Sequence, residues 1–349
     1  MADHVLPTPN VTVVTGAAGW LGQALVARLA AEPGRERLRL LVRTIAEEAF
    51  LAEQLAGRSG VEIVVGDVAR ADTARRLLHD VGDDVFVLHT AGIIHPRRMR
   101  EFVEVNTHGT RHIADAALDH GVRRMVHVSS NSPFGTNPDP LDVFRADEPY
   151  NPYLGYGRSK MHAELAVLDA HRRGLDAVIV RPPWFYGPYQ PARQTSFFRL
   201  VRRGKFPVIG AGDQRRSMVF VENLVDGLLA ASRTPGVGGR GYWIADARPY
   251  TVAEIVETVG RALTAEGFDV TPNSTRLPQL AARLAEAGDR MLQSIGVYQQ
   301  QLHVLGEMGH TIACDISAAS TDLGYTPTVE LLEGMRRSIR WCIDRGLEL

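Results

Sequence analysis

Short apolar runs alternate with longer segments rich in alanine, leucine and arginine through the first half of the chain. The short runs are rich in β-branched residues, which favour strands. The pattern predicts strands at Val11–Thr15, Leu38–Val42, Val61–Val65, Asp84–His89, Arg124–Ser129 and Asp176–Arg181, and helices at Trp20–Ala31, Ile45–Leu55, Ala71–His79, Arg100–His120 and Tyr156–Arg173. Such alternation predicts a parallel sheet with right-handed crossovers. Uninterrupted apolar strands such as Val85–Leu88 indicate that helices cover both faces of the sheet.

The pattern loosens after Arg181, where prolines and glycines mark a loop-rich passage. Further helices are predicted at Ser196–Arg203, Glu222–Ser232, Val252–Leu263, Pro278–Leu292 and Leu331–Arg345. We therefore predict an α/β protein: a Rossmann-type, doubly wound parallel sheet in residues 1–181 and a smaller C-terminal, mainly substrate-binding lobe in residues 182–349. Segments near residues 216–246, including Tyr242–Ala245, are expected to return to the main domain.

The composition is that of an ordinary globular chain. Its 349 residues are 45% apolar and 23% charged, with a formal net charge of −1, so no nucleic-acid or membrane partner is expected. Cys314 and Cys342 form neither a disulfide framework nor a metal site, and a reduced, cytoplasmic setting is expected. The sequence contains no run of about 18 apolar residues, so no membrane span is expected. The first ten residues do not resemble a signal peptide.

The first predicted strand leads directly into a glycine-rich turn, Thr-Gly-Ala-Ala-Gly-Trp-Leu-Gly at residues 15–22. Glycines here permit a tight turn, a close approach to a pyrophosphate and close packing of helix on strand. The following helix offers its free N–H groups to the phosphates. We therefore predict an NAD(P) site formed by Gly16, Gly19, Trp20, Leu21 and Gly22.

The end of the second strand bears on the choice of cofactor. An acidic residue about 20 positions after the glycines would bind the adenosine 2′-hydroxyl, but Val42 and Arg43 stand there. Because an arginine at this point can accept a 2′-phosphate, NADP(H) is slightly favoured over NAD(H).

Lysine occurs only twice among 39 lysines and arginines, at Lys160 and Lys205. In a chain that uses arginine for most positive charges, a retained lysine suggests a need for a compact ammonium. Lys160 follows Tyr156 by four residues, so the two side chains share one face of a helix. A neighbouring ammonium stabilises a phenolate, and the pair therefore predicts a proton-transfer device tuned toward neutral pH.

With these motifs in place, the chain resembles the extended short-chain dehydrogenase/reductase family over nearly its whole length. Further matching segments, in the family's order, are Gly66-Asp67-Val68, His89-Thr90-Ala91-Gly92, Asn106, Ser129-Ser130 and the passage from Arg181-Pro182-Pro183 to Tyr186-Gly187-Pro188. The resemblance implies that the cofactor also contacts Asp67, Val68, Thr90, Ala91, Gly92, Pro183, Tyr156 and Lys160. It also implies a homodimer formed through the helices at Arg100–His120 and Tyr156–Arg173.

The resemblance assigns roles to three catalytic residues. Tyr156 would exchange the proton of a substrate hydroxyl or carbonyl, and Lys160 would lower the pKa of Tyr156 and bind the nicotinamide ribose. Ser130 would orient the reacting oxygen, with Ser132 as a further substrate contact. Dehydratase members carry an Asp-Glu pair directly after the catalytic hydroxyl residue, whereas Asn131 and Ser132 follow here. Dehydration is therefore disfavoured, and epimerisation and net oxidation or reduction remain open.

The substrate is predicted from the smaller lobe. The segment from Gly210 to Asn223 is similar to one of nucleotide-sugar epimerases in which an arginine, here Arg216, contacts the diphosphate. Arg193, Lys205 and Arg215 could join Arg216 around an anionic group, and a nucleotide-diphosphate sugar is the first prediction. No second phosphate arginine precedes Ala313. That departure leaves a reductase of an apolar alicyclic alcohol as the alternative, and a catalytically silent cofactor-binding protein as a third.

Overall fold

The computed structural model describes residues 5–32, 37–272 and 274–349. The prediction about a signal peptide falls partly outside them. The strands are β1 Val11–Thr15, β2 Arg37–Val42, β3 Val61–Val65, β4 Val85–His89, β5 Arg124–Val128, β6 Ala177–Arg181, β7 Trp184–Tyr186, β8 Pro207–Ile209, β9 Arg215–Arg216, β10 Met218–Phe220, β11 Gly241–Trp243, β12 Tyr250–Thr251 and β13 Thr275–Leu277.

The α-helices are α1 Trp20–Ala31, α2 Ile45–Gln54, α3 Ala71–Leu78, α4 Thr110–His120, α5 Leu154–Arg172, α6 Thr195–Arg202, α7 Val221–Arg233, α8 Val252–Ala265, α9 Gln279–Ser294, α10 Gln300–Met308, α11 Ser317–Leu323 and α12 Leu331–Asp344. The pattern did not predict α10 or α11. The predicted helix at Arg100–His120 is two structures in sequence, a wider π-helical segment at Phe102–Gly109 followed by α4.

Seven parallel strands form the main sheet in the order β11-β6-β5-β4-β1-β2-β3. Helices α1 and α7 bury leucines such as Leu25 and Leu228 on one face. Helices α3, α4 and α5 bury Leu77, Ile113 and Val167 on the other face. This is the predicted Rossmann-type architecture, with both faces of the sheet covered. The seventh strand, β11, comes from the later part of the chain.

The smaller lobe has its own apolar core, in which α6, α8 and α12 contribute Phe198, Val259 and Met335. Helices α9 and α10 form a hairpin beside it. They approach so closely that a Cβ on Gly306 would lie 3.1 Å from the Cα of Glu286. Among the described residues, no helix is long and apolar enough to cross a membrane.

The sheet brings the predicted chemistry to one edge. In the parallel register, Thr15 pairs with His89 and His89 pairs with His127. The carboxyl ends of β1, β4 and β5 therefore meet, and the glycine turn, the Thr90–Gly92 segment and the Ser130 loop all leave the sheet there. Ligands of open α/β sheets bind at this edge.

Candidate active site

The glycine turn is closed by contacts that only glycine permits. Gly16 has φ +68°, and an added Cβ would lie 2.8 Å from the Cα of Ala91. A Cβ on Gly22 would lie 2.1 Å from the carbonyl oxygen of Gly16. Gly19 begins α1 without a capping side chain. The first N–H groups of α1 therefore face an open position that suits a phosphate.

The side chain of Trp20 fixes this turn from outside. Its Nε1 donates to the carbonyl oxygen of Pro188 at 2.8 Å, and its ring lies 4.5 Å from that of Phe185. Leu21 points into the core. The side chains of Trp20 and Leu21 are therefore engaged within the protein, and their main-chain N–H groups are the parts that could bind a phosphate.

The predicted adenosine end lies at the carboxyl ends of β2 and β3. Asp67 accepts a hydrogen bond from the N–H of Ala69 at 2.9 Å through one carboxylate oxygen. Val68 is buried, and a Cβ on Gly109 would lie 2.8 Å from its Cγ2. The side chain of Arg43 is exposed, and the main-chain N–H of Arg43 donates to the carboxylate of Glu47 at 2.7 Å. The sequence reasoning missed this carboxylate because it lies in α2 and folds back onto the end of β2.

The segment after β4 lies between the glycine turn and Lys160. Thr90 donates to the carbonyl oxygen of Thr15 at 2.7 Å. Asn106 is fully buried and exchanges hydrogen bonds of 2.8 and 3.0 Å with the main chain of Ile93. A Cβ on Gly92 would lie 3.9 Å from the Nζ of Lys160. The backbone at Gly92 carries no side chain, and it lies at the same edge of the sheet as the ammonium of Lys160 and the N-terminus of α1. These groups fit a bound dinucleotide.

Tyr156, Ser130 and Lys160 meet at the start of α5. The Ser130 hydroxyl lies close enough to the Tyr156 phenol to lower its pKa, and the Ser132 N–H donates to the Ser130 hydroxyl at 3.3 Å. Gly157 makes the approach possible, because a Cβ there would lie 2.4 Å from the Ser132 carbonyl oxygen. The three predicted catalytic residues therefore share one site.

The electrostatics of this site differ from the sequence-based expectation. Burial raises the pKa of Tyr156 to about 12, the nearby Ser130 hydroxyl opposes this, and Glu307 adds to it. Burial lowers the pKa of Lys160 to about 8, against the pull of Glu164. The ammonium of Lys160 donates to the carbonyl oxygen of Val128 at 2.7 Å. Ser130 is therefore the neighbour that favours the phenolate in the protein alone, and the expectation that Lys160 lowers the pKa of Tyr156 stays a prediction.

Comparison with known proteins decides the family. A sequence model described as the NAD dependent epimerase/dehydratase family matches residues 12–245. The chain belongs to this family. It is 43% identical over 347 residues to the uncharacterized protein y4nL of Sinorhizobium fredii, covering 96% of each chain. It is 29% identical over 334 residues to 4-hydroxy-2-methyl-3-oxo-4-farnesyl-3,4-dihydroquinoline-1-oxide ketoreductase of Stigmatella aurantiaca, covering 93% of this chain and 94% of the other.

A solved structure shows the same fold. UDP-glucuronic acid 4-epimerase from Bacillus cereus, in complex with UDP-glucuronic acid and NAD, superposes with a TM-score of 0.75 at 21% identity. The match covers 96% of this chain and 99% of the other. The central sheet and its flanking helices are therefore those of the epimerase/dehydratase family.

Two buried histidines lie near Lys160 in this family member. His89 contacts the Thr15 hydroxyl at 2.7 Å and the Thr110 hydroxyl at 3.0 Å, and its ring lies 5.3 Å from that of His127. Burial and the charge of Lys160 lower the pKa of His89 to about 3. Both histidines are therefore neutral at physiological pH, and they add no positive charge beside the ammonium.

A second hydrogen-bond network, which the sequence did not indicate, joins α5 to β6 and to Tyr150. The fully buried Glu164 accepts from Arg181 at 2.8 Å and from the Tyr150 hydroxyl at 2.8 Å. Glu164 lies one turn after Lys160, so its charge also supports the ammonium. The spacing from Lys160 could have indicated Glu164, but its pairing with Arg181 depends on the packing of α5 on β6.

The predicted substrate cations do not form one cluster. Arg215 donates to the carbonyl oxygens of Pro140 and Asp142, both at 2.9 Å. Arg216 donates to the carbonyl oxygen of Glu307, and burial lowers its pKa. Arg193 is exposed and acts electrostatically on His95. Lys205 is exposed on the loop after α6. Arg193 therefore lies near His95 and Arg216 near α10, whereas Arg215 and Lys205 have other surroundings.

Aromatic rings from three segments form a wall beside Tyr156. The ring of Phe102 lies 5.7 Å from those of both Tyr156 and Tyr298. His303 lies 5.2 Å from Tyr153 and 5.6 Å from Tyr298. We call this set of Phe102, Tyr153, Tyr298 and His303 the aromatic wall. Two of its members, Tyr298 and His303, come from the loop before α10 and from α10 itself.

Proposed function

We propose that the protein transfers a hydride between NAD and a secondary alcohol or ketone, with Tyr156 as the acid/base. The observation that carries this proposal is that Ser130 acts on the buried Tyr156 phenol, and that the ammonium of Lys160 lies beside the backbone of Gly92 at the same edge of the sheet. A hydroxyl, a phenol and an ammonium at the cofactor edge of a Rossmann sheet are the groups that such a reaction needs.

The chemistry divides between cofactor and protein. Bound NAD would supply the hydride acceptor and, when oxidised, a positive charge. Ser130 orients the reacting oxygen, and Tyr156 takes its proton during oxidation or returns it during reduction. Lys160 is held by Val128, and its other N–H groups can donate to ribose hydroxyls. Because burial raises the pKa of Tyr156 to about 12, we propose that the phenolate forms only with the positive cofactor in place.

The choice between NAD(H) and NADP(H) rests on the end of β2. Arg43 favoured NADP(H), but the Glu47 carboxylate in the same turn would repel a 2′-phosphate and can accept from a 2′-hydroxyl. We therefore propose NAD(H). In fluorescence titrations, NADH should bind more tightly than NADPH, and Glu47→Gln should improve NADPH binding. If Arg43→Ala weakens NADPH binding tenfold while NADPH remains the tighter ligand, the NADP(H) prediction stands instead.

A nucleotide-diphosphate sugar is our first substrate candidate. It is supported by the solved epimerase, which binds UDP-glucuronic acid, and by Arg193, whose charge acts on His95 beside Tyr298. Epimerisation would return the hydride to the same substrate, whereas a reductase would release an oxidised cofactor. The pair Asn131-Ser132 after Ser130 supplies no acid and base for dehydration, so we propose one of these two outcomes.

A specific observation favours a second candidate, a neutral ring alcohol or ketone. The aromatic wall lies beside Tyr156, and Arg216 is occupied by the main chain of α10. Burial raises the pKa of Tyr298, and the carboxylates of Glu307 and Asp289 add to that rise. Two carboxylates therefore act on the wall. The quinoline-oxide ketoreductase is a relative whose name describes such a ring ketone.

A thermal-shift screen separates the candidates. A ligand that binds only the native state raises the melting temperature, so UDP, dTDP, GDP and CDP are tested with NADH present. Stabilisation by one nucleotide supports the sugar. A shift with cyclic ketones such as 2-tetralone, and none with any nucleotide, supports the ring ketone.

Tyr156→Phe tests the reaction itself. With the substrate found in the screen, this variant should lose about 10²–10⁴-fold in turnover because the proton donor is absent. Its affinity for NADH should stay within about twofold, since the ring and its contact with Phe102 remain. Turnover close to that of the wild type would contradict the acid/base role.

A further inference from the structure

The outward face of α9 is apolar. Leu280, Leu284, Met291 and Ile295 have exposed fractions of 61, 64, 71 and 69%. At about 100° per residue, these four side chains fall within an arc of roughly 60° on the helix and its C-terminal continuation. Val297 and Val304, in the residues that follow α9, are also exposed, at 41% and 44%. We call Leu280, Leu284, Met291 and Ile295 the α9 stripe.

The acidic and basic side chains of α9 lie on different sides of the helix. Its carboxylates face the rest of the protein: Asp289 is fully buried and lies 2.8 Å from the Nδ1 of His303. Glu286 is partly buried and pairs with Arg290 and His310. Arg283 and Arg290 are exposed and border one edge of the stripe, within roughly 80° of its first residue. Because Arg290 is paired with Glu286, Arg283 supplies the positive charge that the solvent side of α9 combines with its apolar arc.

We propose that the α9 stripe binds the surface of an anionic lipid bilayer, in contrast to the expectation of no membrane partner that the net charge of −1 gave. A helix with an apolar arc and flanking arginines lies in the plane of the interface, with its apolar side chains among the acyl chains. The negative surface potential attracts the arginines. A second copy of the stripe is a poorer occupant, because a two-fold contact would bring the arginines of both copies to one interface. Since no described helix can span a membrane, the contact is with the surface.

The hairpin connects this surface to the active site. The buried side of α9 holds His303 through Asp289, and His303 contacts Tyr153 and Tyr298 in the aromatic wall. A protein docked through the stripe would hold the wall close to the lipid, where an apolar ring compound is concentrated. The proposal goes beyond the hydride-transfer function and does not depend on it, because lipid binding can be measured without turnover.

The test is co-sedimentation of the full chain with sucrose-loaded vesicles. Vesicles of phosphatidylcholine alone are compared with vesicles that contain 30% phosphatidylglycerol (about one lipid in three, a strongly anionic surface). The wild type should sediment with the anionic vesicles and should bind less at high salt. Leu284→Ser/Met291→Ser/Ile295→Ser should weaken binding about tenfold or more. Arg283→Gln should weaken it about fivefold.

The matched control is Leu141→Ser, which removes a leucine that is 82% exposed elsewhere on the molecule. This variant should bind vesicles like the wild type. Circular dichroism and NADH titration establish that each variant is folded. Failure of the folded wild type to sediment, or unchanged sedimentation of the triple variant, overturns the proposal. If the triple variant instead loses a dimer in light scattering, with no lipid binding by the wild type, a second copy is the occupant.

Discussion

At the scale of single residues, the charge of Lys160 is costly to keep. The side chain is 4% exposed, and burial lowers its pKa from 10.5 to about 8. Between those values the unfolded chain binds more protons than the native protein, so this residue makes stability rise with pH. The shift corresponds to roughly 3 kcal/mol. We infer that the ammonium is kept for function, since burial of a neutral side chain would stabilise the fold more.

Lys160→Met should reveal this cost. In urea unfolding, the variant should exceed the wild type in free energy of unfolding by up to about 3 kcal/mol below pH 8. The difference should shrink as the pH rises from about 8 to about 10.5, where the native lysine is already neutral. Lys205→Met changes an exposed lysine and should show a flat difference. A constant difference for Lys160→Met would contradict the lowered pKa.

The sequence predicts Tyr156 and Lys160 from their local spacing, and it predicts Ser130 from the family's spacing after the fifth strand. It does not give the pKa directions, because burial depends on how distant elements pack. The same limit hides Glu164, whose partners Arg181 and Tyr150 lie 17 and 14 positions away.

At the scale of elements, the start of α5 depends on one close approach. Gly157 lets the helix pack against the carbonyl of Ser132, and this contact brings Tyr156 to Ser130. The strands and most helices follow from apolar periodicity, which is a local property. The π-helical segment at Phe102–Gly109 does not, because Asn106 within it is held by Ile93 and Ser159.

Gly157→Ala should therefore displace α5. The new Cβ would lie 2.4 Å from a backbone oxygen, and such overpacking costs about 1–3 kcal/mol. Turnover should fall further than stability suggests, because the distance from Tyr156 to Ser130 changes. Gly260→Ala is the control: it is also inside a helix, and its Cβ would meet only Val270 at 3.7 Å. That variant should gain about 0.5–1 kcal/mol, and equal effects at both positions would contradict the proposed contact.

At the scale of the whole molecule, the Rossmann-type sheet was predictable and the smaller lobe was less so. The parallel sheet follows from a repeating strand–helix unit. The position of α10 beside Tyr156 depends on contacts between residues about 150 positions apart, such as Tyr153 with His303. The sequence therefore indicated the reaction class more directly than the substrate.

The homodimer stays a prediction, and the structure suggests its test. Val103 and Leu165 are 45% and 42% exposed, and they belong to the two predicted interface segments. Val103→Glu/Leu165→Glu should dissociate the dimer because it would place charge in an apolar interface, as measured by light scattering after gel filtration. Ile45→Glu changes an exposed residue on α2 and should leave the mass unchanged. A wild type that elutes as a monomer would contradict the prediction.

The contrast between the two lysines has a practical consequence. Lys160 is enclosed under the cofactor edge, whereas Lys205 is exposed on the smaller lobe. Of the two lysine side chains, only Lys205 is open to an amine-reactive dye. A dye there would report on movements of the lobe through energy transfer from the native tryptophans, with no residue engineered. Protection of Lys160 from the same reagent would measure how rarely the site opens.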